Sequence, residues 1–105
     1  AGNAALIGFT NALGAETPQD NLRVFGINPA ATRTDRMTDR LRSEARQQFG
    51  DENRWAELLN PDQYPFGRPA HPQEVADLAV MLASPRVHYL SGTVIDMDGG
   101  RQWAG

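Results

Sequence analysis

The chain has 105 residues, 40% hydrophobic and 22% charged, which places it among globular chains rather than disordered ones. Its formal net charge is -3, so no overall basic field invites nucleic acid or an anionic membrane. It contains no cysteine, which excludes a disulfide framework and a thiolate zinc site and fits a reducing, cytoplasmic setting.

The first segment, residues 1–16, is rich in Ala and Leu. Leu6, Phe9 and Leu13 fall at i, i+3 and i+7 with Ala5 and Ala12 beside them, which predicts a helix with an apolar stripe. The helix is thin, so another element can pack closely on it. It is helical from its first residues with no cap, and the expectation is that the chain is a fragment. The start lacks the basic lead and apolar core of a signal peptide, and no apolar run approaches the ~20 residues that cross a bilayer.

Residues 17–21 read as a turn. Residues 22–27 form a short apolar run bounded by turn signals, a buried strand that Pro29 is expected to end. Ala30, Ala31, Thr32 and Thr34 follow, almost nothing bulky, as though something must lie close to that backbone. Residues 33–54 carry six Arg against five acids, with Met37, Leu41, Ala45 and Phe49 at spacing four and Gly50 as a stop. Trp55, Leu58 and Leu59 add a second apolar patch. This stretch has too little apolar face for a core and reads as a loosely attached cover.

Residues 64–72 are a proline-rich connection. Pro72 at a first helical position and Glu74 in the first turn open a helix whose Val75, Leu78, Ala79 and Leu82 make one stripe. Ser84-Pro85 ends it, and residues 93–98 are β-rich and close on Gly99-Gly100. Strand, crossover helix, strand is a βαβ unit with parallel strands and a right-handed connection. Two strands make only a partial sheet, so the pattern reads as one end of a larger α/β sheet.

Several residues invite chemistry. All ten basic residues are Arg, so no lysine here serves as acid, base or Schiff-base amine. Thr34 before Asp35 suits a helix cap as well as a ligand contact. His71 and His88 lack partner spacing for a metal or a triad and read as surface residues. Asp96 and Asp98 alternate along a strand and face one side, which leaves an acidic metal site or a strand-end turn. The Arg-rich helix reads as a solvated face, its matching acids arguing against a DNA footprint.

Four pieces in order, NAALIGFTNALGAE, RVFGINPAATRT, FGRPAHPQEVADLAVMLASP and YLSGTVIDMDGG, resemble the C-terminal part of the short-chain dehydrogenases/reductases. The resemblance implies one end of a Rossmann-type doubly wound parallel sheet. It implies NAD or NADP as cofactor and hydride exchange between an alcohol and a carbonyl. It implies that Pro29 and Ala30 line the nicotinamide ring, that the backbone of Thr32 meets its carboxamide, and that the Thr34 hydroxyl bonds the carboxamide or pyrophosphate. Residues 33–60 become a substrate lid. A small-molecule alcohol or carbonyl is the expected partner, together with copies of the chain or the N-terminal part as subunit contacts, and no nucleic acid or membrane.

The chain departs from the family at one point that matters. The family's catalytic tyrosine is followed four residues later by lysine, and NAAL on the usual KAAL puts Asn3 in the lysine position, the tyrosine falling before Ala1. Asn3 can hydrogen-bond a ribose but carries no charge. The glycine-rich phosphate turn of the family is not among these residues. The alternative expectation is therefore a degenerate, non-catalytic relative that uses the fold to bind a ligand or partner.

Overall fold

A computed structural model describes residues 2–101, with side chains from Ala4 onward. Its main elements are α1 (Gly2–Glu16), β1 (Gly26–Pro29), α2 (Asp35–Phe49), α3 (Pro72–Ala83) and β2 (Val94–Met97), joined by short 3-10 turns. They form two compact units. One comprises Ala1–Pro29 with Gln73–Met97, the other Ala30–Pro72 with Asp98–Gly105.

In the first unit β1 and β2 lie side by side and parallel, in the register Gly26 with Val94 through Pro29 with Met97. Parallel neighbours joined through α3 are what the βαβ reading required. The strand is shorter and later than residues 22–27, and the reason is local. Gly92 sits at φ +81, a left-handed conformation that breaks the extended partner chain. Val24 therefore bonds out of the ladder: its N–H donates to Ser91 Oγ at 3.2 Å, and its carbonyl accepts from Gly92 N at 2.6 Å. The regular pairing opens only where Gly26 N–H meets Thr93 O at 2.9 Å. Pro29, lacking an N–H, is the last strand residue, as expected.

Helix α1 covers the sheet face that carries Gly26 and Val94. Buried Thr10 returns its hydroxyl to Leu6 O at 2.9 Å and reaches over Gly26. The helix is held at its far end through Gly14. Asn11 Nδ2 donates to Gly92 O at 2.5 Å, and Ser91 Oγ donates to Gly14 O at 2.7 Å. The stripe on α3 resolves as read: Leu82 is buried and Val75, Leu78 and Ala79 are half-buried. The exit of α3 would leave carbonyls without partners. The guanidinium of Arg23 takes two of them, those of Leu82 and Ala83, together with the carbonyls of Ser84 and Val87 just beyond the helix, at 2.8–3.3 Å.

The second unit is built on α2. Thr34 caps its N-terminus and Gly50, at φ +71, closes its C-terminus by donating to Arg46 O at 3.0 Å. Leu41 and Ala45 are buried against the 3-10 turn Glu52–Leu58, with Met37 and Phe49 half-buried on the same edge. The Arg54 guanidinium stacks 4.1 Å over the Phe49 ring and grips Glu57 with two hydrogen bonds. No described helix is long and apolar enough to cross a membrane.

Candidate functional site

In an open α/β sheet, ligands meet the carboxyl ends of the strands. Both strands of the first unit end in register, which sets Asn28 and Pro29 of β1 beside Asp96 and Met97 of β2. Asn28 Nδ2 donates to Asp96 Oδ1 at 3.0 Å, across the strands. Along its own strand Asp96 pairs in pattern only with Asp98. The parallel register, which no single-strand pattern reveals, gives Asp96 to Asn28 instead. Asp98 Oδ1 accepts from Gly100 N at 2.9 Å, the strand-end turn of the two readings held open. Among the described residues no three His, Asp or Glu side chains gather as metal ligands.

The small-residue loop after β1 belongs to the second unit. Residue 70 clamps it from one side: Ala70 N–H donates to Ala31 O at 2.9 Å and Arg33 N–H donates to Ala70 O at 2.7 Å. Backbone groups alternate sides along an extended segment, so the N–H of Thr32 points away from this clamp. Among the described residues it has no hydrogen-bond partner, while the Thr32 hydroxyl is turned back onto Ala30 O at 3.1 Å. The loop thus leaves the N–H groups of Ala30, Ala31 and Thr32 without partners among the described residues, and of these Thr32 is the one held between the two bonds to Ala70. Ala70 as the clamp was invisible in the sequence, because nothing marks a one-residue bridge 38 positions away.

Thr34 adopts extended backbone, φ -118 and ψ 162, and its Oγ1 accepts from Met37 N at 3.2 Å. Capping consumes the oxygen as acceptor and leaves the hydroxyl hydrogen to donate outward. Both roles read for Thr34 are compatible on one side chain. Pro29 stands at the end of β1 in the first unit; Ala30, Thr32 and Thr34 stand in the second. The side chain of Asn3 lies outside the described residues.

Electrostatics around α2 is a matter of surface pairs. The carboxyl of Glu52 is held below the ordinary range by its hydrogen bond to Arg46 and then by that charge. Glu57 is lowered and Arg54 raised by their mutual hydrogen bond. All three groups are exposed, so these pairs orient side chains more than they stabilise the fold.

Comparison with known proteins shows what the chain is similar to. The family model described as enoyl-(acyl carrier protein) reductase matches residues 1–102. The chain is 35% identical over 97 residues to a 3-oxoacyl-[acyl-carrier-protein] reductase of Aquifex aeolicus, covering 92% of this chain and 34% of that protein. The same enzyme of Chlamydia trachomatis is 36% identical over 100 residues, covering 95% and 36%. The chain thus spans about a third of the length of these relatives. Among solved structures, L-sorbose reductase from Gluconobacter frateurii, in complex with NADPH and L-sorbose, superimposes with a TM-score of 0.81 at 31% identity. That match covers 97% of this chain and 39% of the reductase. A short-chain oxidoreductase from Pseudomonas aeruginosa, NADPH-bound and with an atypical catalytic center, gives 0.75 at 26% identity over 97% and 37%.

Proposed function

Because the chain belongs to the short-chain dehydrogenase/reductase family, we propose that it supplies the nicotinamide end of an NAD- or NADP-binding site in an oxidoreductase that interconverts an alcohol and a carbonyl. The observation that carries this reading is the unpartnered N–H of Thr32, flanked by Ala30 and Ala31 and fixed by Ala70. An amide-bearing ring needs an acceptor-seeking donor on a rigid backbone that it can approach, and this loop offers both. Thr34 would add its hydroxyl, and Pro29 and Ala30 would wall the ring. The bound dinucleotide would supply or take the hydride, so these residues orient rather than react. Residues 33–60 act as the substrate lid in this reading, and small-molecule alcohols or carbonyls are the substrates.

The test is nuclear magnetic resonance of the labelled chain with nicotinamide mononucleotide at millimolar concentration. The Thr32 amide should shift saturably with its neighbours at residues 30–34. Shifts elsewhere only, or none, would overturn the placement. Calorimetry with the whole dinucleotide should show no tight binding, because the 105 residues hold no glycine-rich phosphate turn; micromolar affinity would refute that part.

A second reading rests on Asn3. The family position wants a lysine charge to lower the tyrosine pKa, and an amide cannot supply it. A degenerate relative that binds without catalysing follows from that. Hydride transfer measured with and without Asn3→Lys separates the two. Hydride transfer by the protein that retains Asn3 favours the enzyme, and transfer that appears only in Asn3→Lys, or in neither despite intact dinucleotide binding, favours the binding protein.

A further inference from the structure

We infer that the second unit carries a subsite for an oxyanion, a phosphate or carboxylate, on the flank of α2. An open cleft of about 520 Å³ lies there, within the range of small-ligand sites. Its floor is a column on one helix face, since Thr34, Thr38 and Arg42 follow at i, i+4 and i+8. Arg33 and the half-buried Trp55 also line the cleft.

Arg36 and Arg40 of α2 also lack partners among the described residues, but what this cleft adds is concavity: it gathers two such guanidinium groups with a hydroxyl and an indole in one lining. Arg46 and Arg54 are committed to Glu52 and Glu57. Among the described residues, the guanidinium of Arg33, the hydroxyl of Thr38 and the indole N–H of Trp55 have no hydrogen-bond or ion-pair partner. Arg42 feels only the field of Glu52, whose carboxylate is already bonded to Arg46. Asp35 is the one acid in the lining, against the two arginines, so the balance is positive. A lining in which donors and positive charge outnumber the single carboxylate suits a group that brings acceptors and negative charge, and a guanidinium matches the fork of a carboxylate or phosphate. The indole gives that group an apolar neighbour on its carbon side.

The anion is assigned to the substrate rather than to the cofactor, an assignment that rests on the oxidoreductase reading above; the binding itself does not. An oxidoreductase with this lid would prefer alcohols or carbonyls carrying a phosphate or carboxylate over neutral ones of equal size.

The experiment titrates the labelled chain with glycerol 3-phosphate, with glycerate, and with glycerol at matched ionic strength, without dinucleotide. The Trp55 indole N–H and the Thr38 amide should shift saturably with either anion and not with glycerol. Arg33→Gln and Arg42→Gln should each weaken binding about tenfold, and Thr38→Val several-fold, with unchanged circular dichroism. Equal shifts with glycerol, none with the anions, or affinity indifferent to both arginine substitutions would overturn the subsite. Displacement of glycerol 3-phosphate by NADP+ at these same signals would overturn the substrate assignment, because the cleft would then hold the cofactor's own phosphates. Failure of the Thr32 test with an intact response here would remove the nicotinamide reading and leave the anion site standing.

Discussion

Two glycines on α1 should respond to the same substitution with opposite sign. Gly8 and Gly14 both lie inside the helix, where Gly→Ala is worth roughly 1 kcal/mol in backbone terms. A Cβ on Gly8 would meet nothing within 4 Å, so Gly8→Ala should keep that gain. A Cβ on Gly14 would stand 2.3 Å from both the Cα and the N of Gly92 and 3.1 Å from Val24 O. All three are backbone atoms and cannot swing aside. Relief requires α1 to move off residues 91–92, which stretches the bonds from Asn11 to Gly92, from Ser91 to Gly14 and from Gly92 to Val24. Overpacking costs about 1–3 kcal/mol, and the three hydrogen bonds, weakened rather than broken, add about 1.5 kcal/mol together. Against a helix gain of about 1 kcal/mol, the net loss for Gly14→Ala is about 2–3 kcal/mol. Thermal unfolding followed at 222 nm should place Gly14→Ala about 10–20 °C below the parent and Gly8→Ala about 4–8 °C above it. A Gly14→Ala chain that melts at or above the parent would show that the helix does not rest on Gly92, and the argument for the placement of α1 would fail.

Other expectations follow from single side chains. Arg23→Met should cost about 2 kcal/mol, since four carbonyls lose a charged donor but are partly open to water, and Arg23→Lys should recover only part for want of the planar fork; urea unfolding midpoints measure both. Thr34→Val should destabilise α2 by about 1 kcal/mol while Thr34→Ser is nearly silent, read as amide exchange in the first turn. Glu52 titrates below the ordinary glutamate range in the folded chain, so the stabilisation from its pair is present above the unfolded value and fades as pH falls through the folded one. Its carboxyl carbon signal should therefore titrate at higher pH in Arg46→Gln, and an unmoved midpoint would deny the contact. On α1, Leu6 and Phe9 are more than 60% exposed, an apolar face that favours association. Sedimentation of the chain should show more than a single species near 11.5 kDa.

The periodic parts of this fold were legible and the pairings were not. Stripes at helical spacing found α1, α2 and α3, and Gly50 and Pro72 marked ends correctly because their backbone preferences are local. Residues 22–25 looked like strand because apolar runs carry no information about where the partner becomes extended. That depended on the left-handed Gly92, nearly seventy residues on. The same blindness hid Asn28 with Asp96, the Ala70 clamp, and the role of Arg23, which reads as one more surface arginine until α3 brings its carbonyls near. Of the candidate loop, the smallness of Ala30 and Ala31 was visible; the free donor at Thr32 was not, since a spare N–H exists only once the neighbours' bonds are known.

The two strand exits differ in a way that bears on where a ligand belongs. After β2 the chain turns through Asp98, and the N–H groups of Gly100 and Arg101 both return to that residue, at 2.9 and 3.3 Å. A Cβ at Gly99 would lie 2.9 Å from Pro65, so the space there is already filled by the protein's own side chains. After β1 the order is reversed. The side chains shrink to alanines, the bonds of Ala31 and Arg33 are spent on one side, and the donor of Thr32 is left over on the other. Backbone donors without acceptors are costly once water is excluded, and native chains leave few of them. The clamped loop keeps such a donor in a half-buried residue, where water or a ligand can supply the acceptor. The difference between the exits is therefore one of bulk, a filled turn after β2 against alanines after β1, and it supports the proposed placement of the cofactor beside residues 30–34.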